Sequence, residues 1–117
     1  MMLRKLVAIA ATFFSVSAFG ATAAWNASVL GTLIDDENFG GCMARITPQP
    51  ASRSLDCPGG WVTFSCSGDF TTVETGNRKF QAAQLAMMTR TMVFIQVDDL
   101  RKHNGFCYAR RVDNLPN

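Results

Sequence analysis

Gly60-Trp61-Val62-Thr63-Phe64-Ser65-Cys66 places Val62, Phe64 and Cys66 on one side of an extended chain and Trp61, Thr63 and Ser65 on the other. A period of two marks a half-buried strand, because successive side chains leave the backbone on opposite faces. Cys66 therefore points inward. Gly41 to Thr47 reads the same way, with Cys42, Ala44 and Ile46 opposite Met43, Arg45 and Thr47. The segment between them, Pro48 to Pro58, is a polar loop, since prolines as close as Pro48 and Pro50 cannot donate to a sheet ladder.

Four cysteines, Cys42, Cys57, Cys66 and Cys107, lie downstream of an apolar leader. An even cysteine count in a short exported chain reads as a disulfide framework, with three pairings open to four residues. If the two strands are antiparallel neighbours, the start of the first lies beside the end of the second, which brings Cys42 against Cys66. Cys57 and Cys66 are separated by largely extended chain, too long for the ~7 Å Cα limit of a bridge. Cys57 is then left for Cys107. Zinc is disfavoured: no close C-x-x-C pair is present, and His103 is the single histidine.

Further elements follow on both sides. A first strand is expected over Ala27 to Ile34, with a bend or bulge at Gly31, followed by the acidic turn Asp35-Asp36-Glu37-Asn38. After Cys66, the polar stretch Ser67 to Asn77 is punctuated by Gly68 and Gly76. Asn77 to Arg90 reads as a helix capped by Asn77, its stripe Phe80, Ala83, Ala86 and Met87 facing the sheet. Leu85 and Met88 fall outside that stripe and form a second apolar patch, a candidate interface in a homo-oligomer. Thr91 to Val97 is a strand, Asp98 to Gly105 a charged hairpin loop ending in the turn pair Asn104-Gly105, and Phe106 to Val112 the last strand.

The chain is thus mainly β with one helix. Closure into a small five-stranded barrel of the OB type hides the edges that an open sheet would expose. The alternative is an open antiparallel α+β sheet with the helix packed on it.

The N-terminal segment has the order of a secretory signal peptide: Arg4 and Lys5, an apolar run from Leu6 to Phe19, then small residues ending in Ala21-Thr22-Ala23. Residues 1–23 are read as the signal peptide and 24–117 as one disulfide-stapled domain, periplasmic or secreted. The apolar run is shorter than the ~20 residues of a bilayer-spanning helix, and the mature chain has no second one. The formal net charge of +2 rests on Arg4 and Lys5 alone, so the mature chain is neutral. Its basic residues are scattered, without the clustered stripe that nucleic acid requires.

The stretch Gly41-Cys42-Met43-Ala44-Arg45-Ile46, then Val62-Thr63-Phe64-Ser65-Cys66, a helix with Ala82, Ala83 and Ala86, and Thr91-Met92-Val93-Phe94-Ile95-Gln96-Val97 resembles the B subunits of subtilase cytotoxin and pertussis-like bacterial toxins. The likeness runs across roughly Gly41 to Val112. It implies an OB-fold, assembly as a pentamer, binding of cell-surface glycans, and a disulfide between the two strands before the helix, here Cys42 and Cys66. The chain departs from that pattern in its short N-terminal region and in the second pair, Cys57 and Cys107.

The functional expectation is a non-catalytic binding module, with no cofactor and no metal. A sugar site needs an aromatic face with polar groups beside it to orient hydroxyls. Trp61 and the loop carrying Ser67, Asp69, Phe70, Thr71 and Thr72 are the candidates. The alternative is a protein-interaction domain, an enzyme inhibitor or a component of an envelope complex. That reading uses Asp98-Asp99-Leu100-Arg101-Lys102-His103 as a projecting charged loop against an envelope or host protein. Catalysis is not expected: His103, flanked by Asp99 and Lys102, lacks a nucleophile with a defined orienting partner.

Overall fold

In the computed structural model, which describes residues 21–116, the chain forms a closed antiparallel-dominated barrel with strand order β1-β2-β3-β5-β4 and one helix. The strands are β1 (Thr22–Ile34), β2 (Cys42–Thr47), β3 (Trp61–Thr63), β4 (Met92–His103) and β5 (Phe106–Asn114), and the helix α1 is Val73–Thr89. Only β3 and β5 run parallel, meeting at Thr63 and Tyr108. That contact closes the barrel and excludes the open sheet. The fold is the small OB-like barrel, mainly β with one helix.

Alternation builds the interior. Trp25, Ala27 and Val29 from β1, Ala44 and Ile46 from β2, Val62 and Phe64 at β3, and Val93, Ile95 and Val97 from β4 are all buried in one cluster. The helix contributes Phe80, Ala83 and Ala86 to that cluster, and the Phe80 ring lies 6.2 Å from that of Phe64. Met87, the fourth residue of the expected stripe, is partly buried against it. In β1 the register slips between Val29 and Gly31, the expected bulge, which increases local twist where the strand must bend around the barrel.

Two disulfides join Cys42 to Cys66 and Cys57 to Cys107, each with a Cα–Cα distance of 5.7 Å. The first lies where antiparallel β2 and β3 bring the beginning of one strand to the end of the other. The second ties the loop after β2 to β5. No helix among the described residues is long and apolar enough to cross a membrane.

Several boundaries differ from the sequence reading. β1 starts at Thr22 rather than Ala27, so Thr22 and Ala23 pair with Asp98 and Val97 of β4. The signal-peptide assignment falls for residues 1–20 outside the described residues; of its last three, Ala21 precedes β1 and Thr22 and Ala23 open it. Helix α1 starts at Val73 rather than Asn77, because Thr72 caps it: its side chain accepts the Thr75 backbone N–H. Asn77 lies inside the first turns and donates to the Val73 carbonyl instead. The supposed loop from Asp98 to His103 is strand, leaving a two-residue hairpin at Asn104 and Gly105, both at positive φ (53° and 89°) as a tight type I′ turn requires.

Candidate functional site

The strand that decides the fold also starts the site. Past Thr63 the backbone leaves the ladder and turns at Ser65, whose φ of 56° is left-handed. Thr63 and Ser65, expected on the solvated side, are both fully buried. Two neighbours cover them: the turn Phe39–Gly41 before β2, and the end of the β4–β5 hairpin. Thr63 Oγ1 donates to the Phe39 carbonyl at 2.7 Å and accepts the Ser65 N–H at 3.0 Å. Gly40 is needed for this approach, because a Cβ there would run into the His103 ring and Thr63 Oγ1, at a φ of 69°.

His103 is the hub. Its Nε2 lies 3.0 Å from Ser65 Oγ and 3.8 Å from Asp69 Oδ2. Ser65 Oγ also accepts the Phe70 N–H at 3.1 Å. The Phe70 ring then packs against His103, with centroids 4.4 Å apart, and against Tyr108 of β5 at 5.4 Å. Beneath Tyr108, Lys79 of α1 donates to its hydroxyl at 2.7 Å. Asn104 at the hairpin tip accepts the Phe39 N–H at 2.6 Å, and the Phe39 and Phe106 rings meet edge to face at 5.7 Å. The loop after Ser65 is therefore anchored from below by His103 of β4 and Tyr108 of β5.

The structure divides the expected ligand residues. Ser67, Asp69, Phe70, Thr71 and Thr72 form one continuous turn. In it Ser67 Oγ donates to Asp69 Oδ2 at 2.9 Å, the Asp69 side chain is 63% exposed, and Phe70 is half-buried. Thr72 is committed to the helix cap through its contacts with Thr75. Trp61, half-buried at the first position of β3 and paired across to Arg45, sits at the other end of that strand from the loop. Leu85 and Met88 are both exposed, Met88 at 79%. They lie one turn apart on the outer face of α1, away from Ala83 and Ala86.

The charged segment Asp98 to His103 does not project as a free loop. Asp98 is buried, with its carboxylate accepting the Leu100 N–H at 2.7 Å and meeting Arg101 at 3.2 Å. Asp99 accepts backbone N–H groups from Asp56 and Ala21. Those bonds, with Asp56 first, hold its carboxyl below the ordinary aspartate range. Lys102 reaches Asp56 at 3.3 Å. Only Leu100 and Arg101 extend into solvent.

Sequence reasoning placed His103 in that loop and gave Tyr108 and Lys79 no role. Their convergence depends on the parallel contact of β3 with β5, a long-range pairing with no local signature. The Ser65–His103 pair is not the geometry of an activated nucleophile. Ser65 exposes no surface, and Asp69 approaches the same imidazole nitrogen as the serine rather than the opposite one that an orienting carboxylate uses. Among the described residues no three His, Cys, Asp or Glu side chains converge on a metal-sized site, and no pocket is enclosed.

The chain matches no protein-family model, no curated protein and no solved structure.

Proposed function

We propose that this chain is an exported module that binds by surface contact, with the Ser67–Thr72 turn as its ligand face and a glycan as its ligand. The observation that carries the reading is the anchoring of that turn. Ser65, His103 and Tyr108 fix Phe70 from beneath, so the Asp69 carboxylate and Ser67 hydroxyl are held in water beside an aromatic ring. A rigid carboxylate–hydroxyl pair suits two neighbouring sugar hydroxyls, and the half-buried ring suits the apolar side of a pyranose. Little conformational freedom remains to be lost on binding. The resemblance to glycan-binding toxin subunits supports the ligand class, and the two disulfides and the leader support export.

The test is a glycan array probed with the native chain and with Asp69→Ala and Phe70→Ala. The expected result is binding to a defined glycan group, weakened tenfold or more in each variant, a change of about 1.4 kcal/mol or more. Arrays blank for the native chain, or signals unchanged in both variants, overturn the glycan reading.

A second reading, contact with an envelope or host protein, is favoured by the open surface, since the described residues enclose no pocket. Protein interfaces are flatter than small-molecule sites. A stoichiometric protein partner recovered from a periplasmic extract, not eluted by sugars, would select it.

A further inference from the structure

β1 begins earlier than a cut after Ala23 allows. Thr22 faces Asp98 and Ala23 faces Val97 in the β1–β4 ladder, and Ala23 packs against the core. One residue further out, Ala21 N donates to Asp99 Oδ1 at 2.7 Å, while Asp99 N donates to the Ala21 carbonyl at 3.1 Å. The ladder is therefore complete back to Ala21. Cleavage after Ala23 would remove its first two rungs and the reciprocal pair that ends it.

Leader cleavage sites carry small residues in an A-x-A-like pattern. Two stretches have it: Ala21-Thr22-Ala23 and, directly before it, Ala18-Phe19-Gly20. Only the second leaves the barrel whole.

We propose that the leader is cut between Gly20 and Ala21, and that the α-ammonium released at Ala21 is held by the Asp99 carboxylate. This rests on the export reading given above. In the cut, water supplied to a leader peptidase hydrolyses the Gly20–Ala21 amide. Gly20 leaves with the new carboxylate, and the Ala21 amine takes up a proton, as an α-amino group does near neutral pH. The donor already within 2.7 Å of Asp99 then carries a positive charge, and the bond becomes charge-assisted.

The surroundings fit that charge. Asp99 Oδ2 accepts the Asp56 N–H at 3.0 Å, which keeps the carboxylate oriented. Lys102 is engaged with Asp56 at 3.3 Å, and the neighbouring Asp98 carboxylate is taken by Arg101 and the Leu100 N–H. Asp99 Oδ1 is left facing Ala21.

The full chain with its leader is expressed in a bacterium, and the exported protein is analysed by intact mass and N-terminal sequencing. The expected first residue is Ala21. A protein starting at Ala24, or at any other residue of the leader region, overturns the cut site while leaving export standing. A protein retained in the cell with the leader attached overturns both. A second measurement addresses the ammonium. Acetylating the α-amine of the exported protein is expected to lower its thermal midpoint by about 1–4 °C, the scale of one exposed ion pair in a domain of this size. In Asp99→Asn the same acetylation is expected to leave the midpoint unchanged. Equal shifts in the two proteins overturn the ammonium–carboxylate pair.

Discussion

His103 Nε2 lies 3.0 Å from Ser65 Oγ, joining the β4–β5 hairpin to the turn that leads into α1 across a separation of 38 residues. The serine is fully buried, and its hydroxyl also accepts the Phe70 N–H, so one oxygen partners both the part-buried His103 imidazole and the Phe70 amide. Ser65→Ala strands both. A buried donor or acceptor left without a partner costs about 1–3 kcal/mol, and that is the expected loss in urea unfolding, with an unchanged denaturant slope. A midpoint equal to that of the native chain would mean that the hydroxyl holds nothing in place.

Gly76 takes part in helix docking. A Cβ at this position would lie 2.8 Å from the Ser65 carbonyl and 2.9 Å from that of Phe64, both backbone atoms that cannot rotate away. Alanine is normally the better helix former by about 1 kcal/mol. Here overpacking, which costs about 1–3 kcal/mol, outweighs that gain. Gly76→Ala is expected to destabilise the barrel by up to ~2 kcal/mol in equilibrium unfolding; a more stable variant would show that α1 sits further from the turn at Ser65.

The barrel was legible where alternation is undisturbed. Cys42, Ala44 and Ile46, then Val62 and Phe64, then Val93, Ile95 and Val97 keep the period of two and all line the interior. Elements were missed where local composition imitates something else. Thr22 and Ala23 read as the small residues that end a leader, and the start of β1 that they form is not visible in their composition. Gly76 looks like loop punctuation, yet it is the point where a helix touches backbone. The charges of Asp98 to Lys102 look like a solvated loop, yet Asp98 and Asp99 spend their carboxylates on backbone N–H groups within a strand and its neighbours. The turn from Ser67 to Thr72 was visible as a polar stretch carrying one aromatic residue. Its support from His103 and Tyr108 was not, since it follows from long-range pairing of β3 with β5.

The two disulfides should contribute unequally. Their half-cystines are 24 residues apart for Cys42–Cys66 and 50 for Cys57–Cys107. Cross-linking restricts the unfolded chain more when it closes the longer loop, and the chain-entropy relation gives roughly 3.5 and 4 kcal/mol. Replacing each pair by alanines is expected to destabilise the chain by several kcal/mol, the Cys57/Cys107 variant more. The reverse order in chemical unfolding would assign the larger effect to native-state packing rather than to loop length.

Asp99 makes the acid response of the barrel testable at one residue. Its carboxyl is held below the ordinary aspartate range by the Asp56 and Ala21 N–H groups, in that order. A folded-state pKa below the unfolded one means that the folded form favours the ionised carboxylate. The stabilisation is therefore fully present above about pH 4 to 5 and is lost as pH falls through the lowered folded value. Asp35, capped by the N–H groups of Glu37 and Asn38, and Asp113, paired with Arg111, shift the same way, so acid unfolding of the native chain mixes all three. Comparison with Asp99→Asn separates them, because the asparagine keeps an acceptor oxygen and cannot ionise. The native chain is expected to have the higher urea midpoint at pH 7, with the gap closing as pH falls below about 4, the ordinary aspartate value, toward the lowered folded one. A gap that stays constant over that range would show that shape or hydrogen bonding alone, not the charge on Asp99, ties β4 to Asp56 and Ala21.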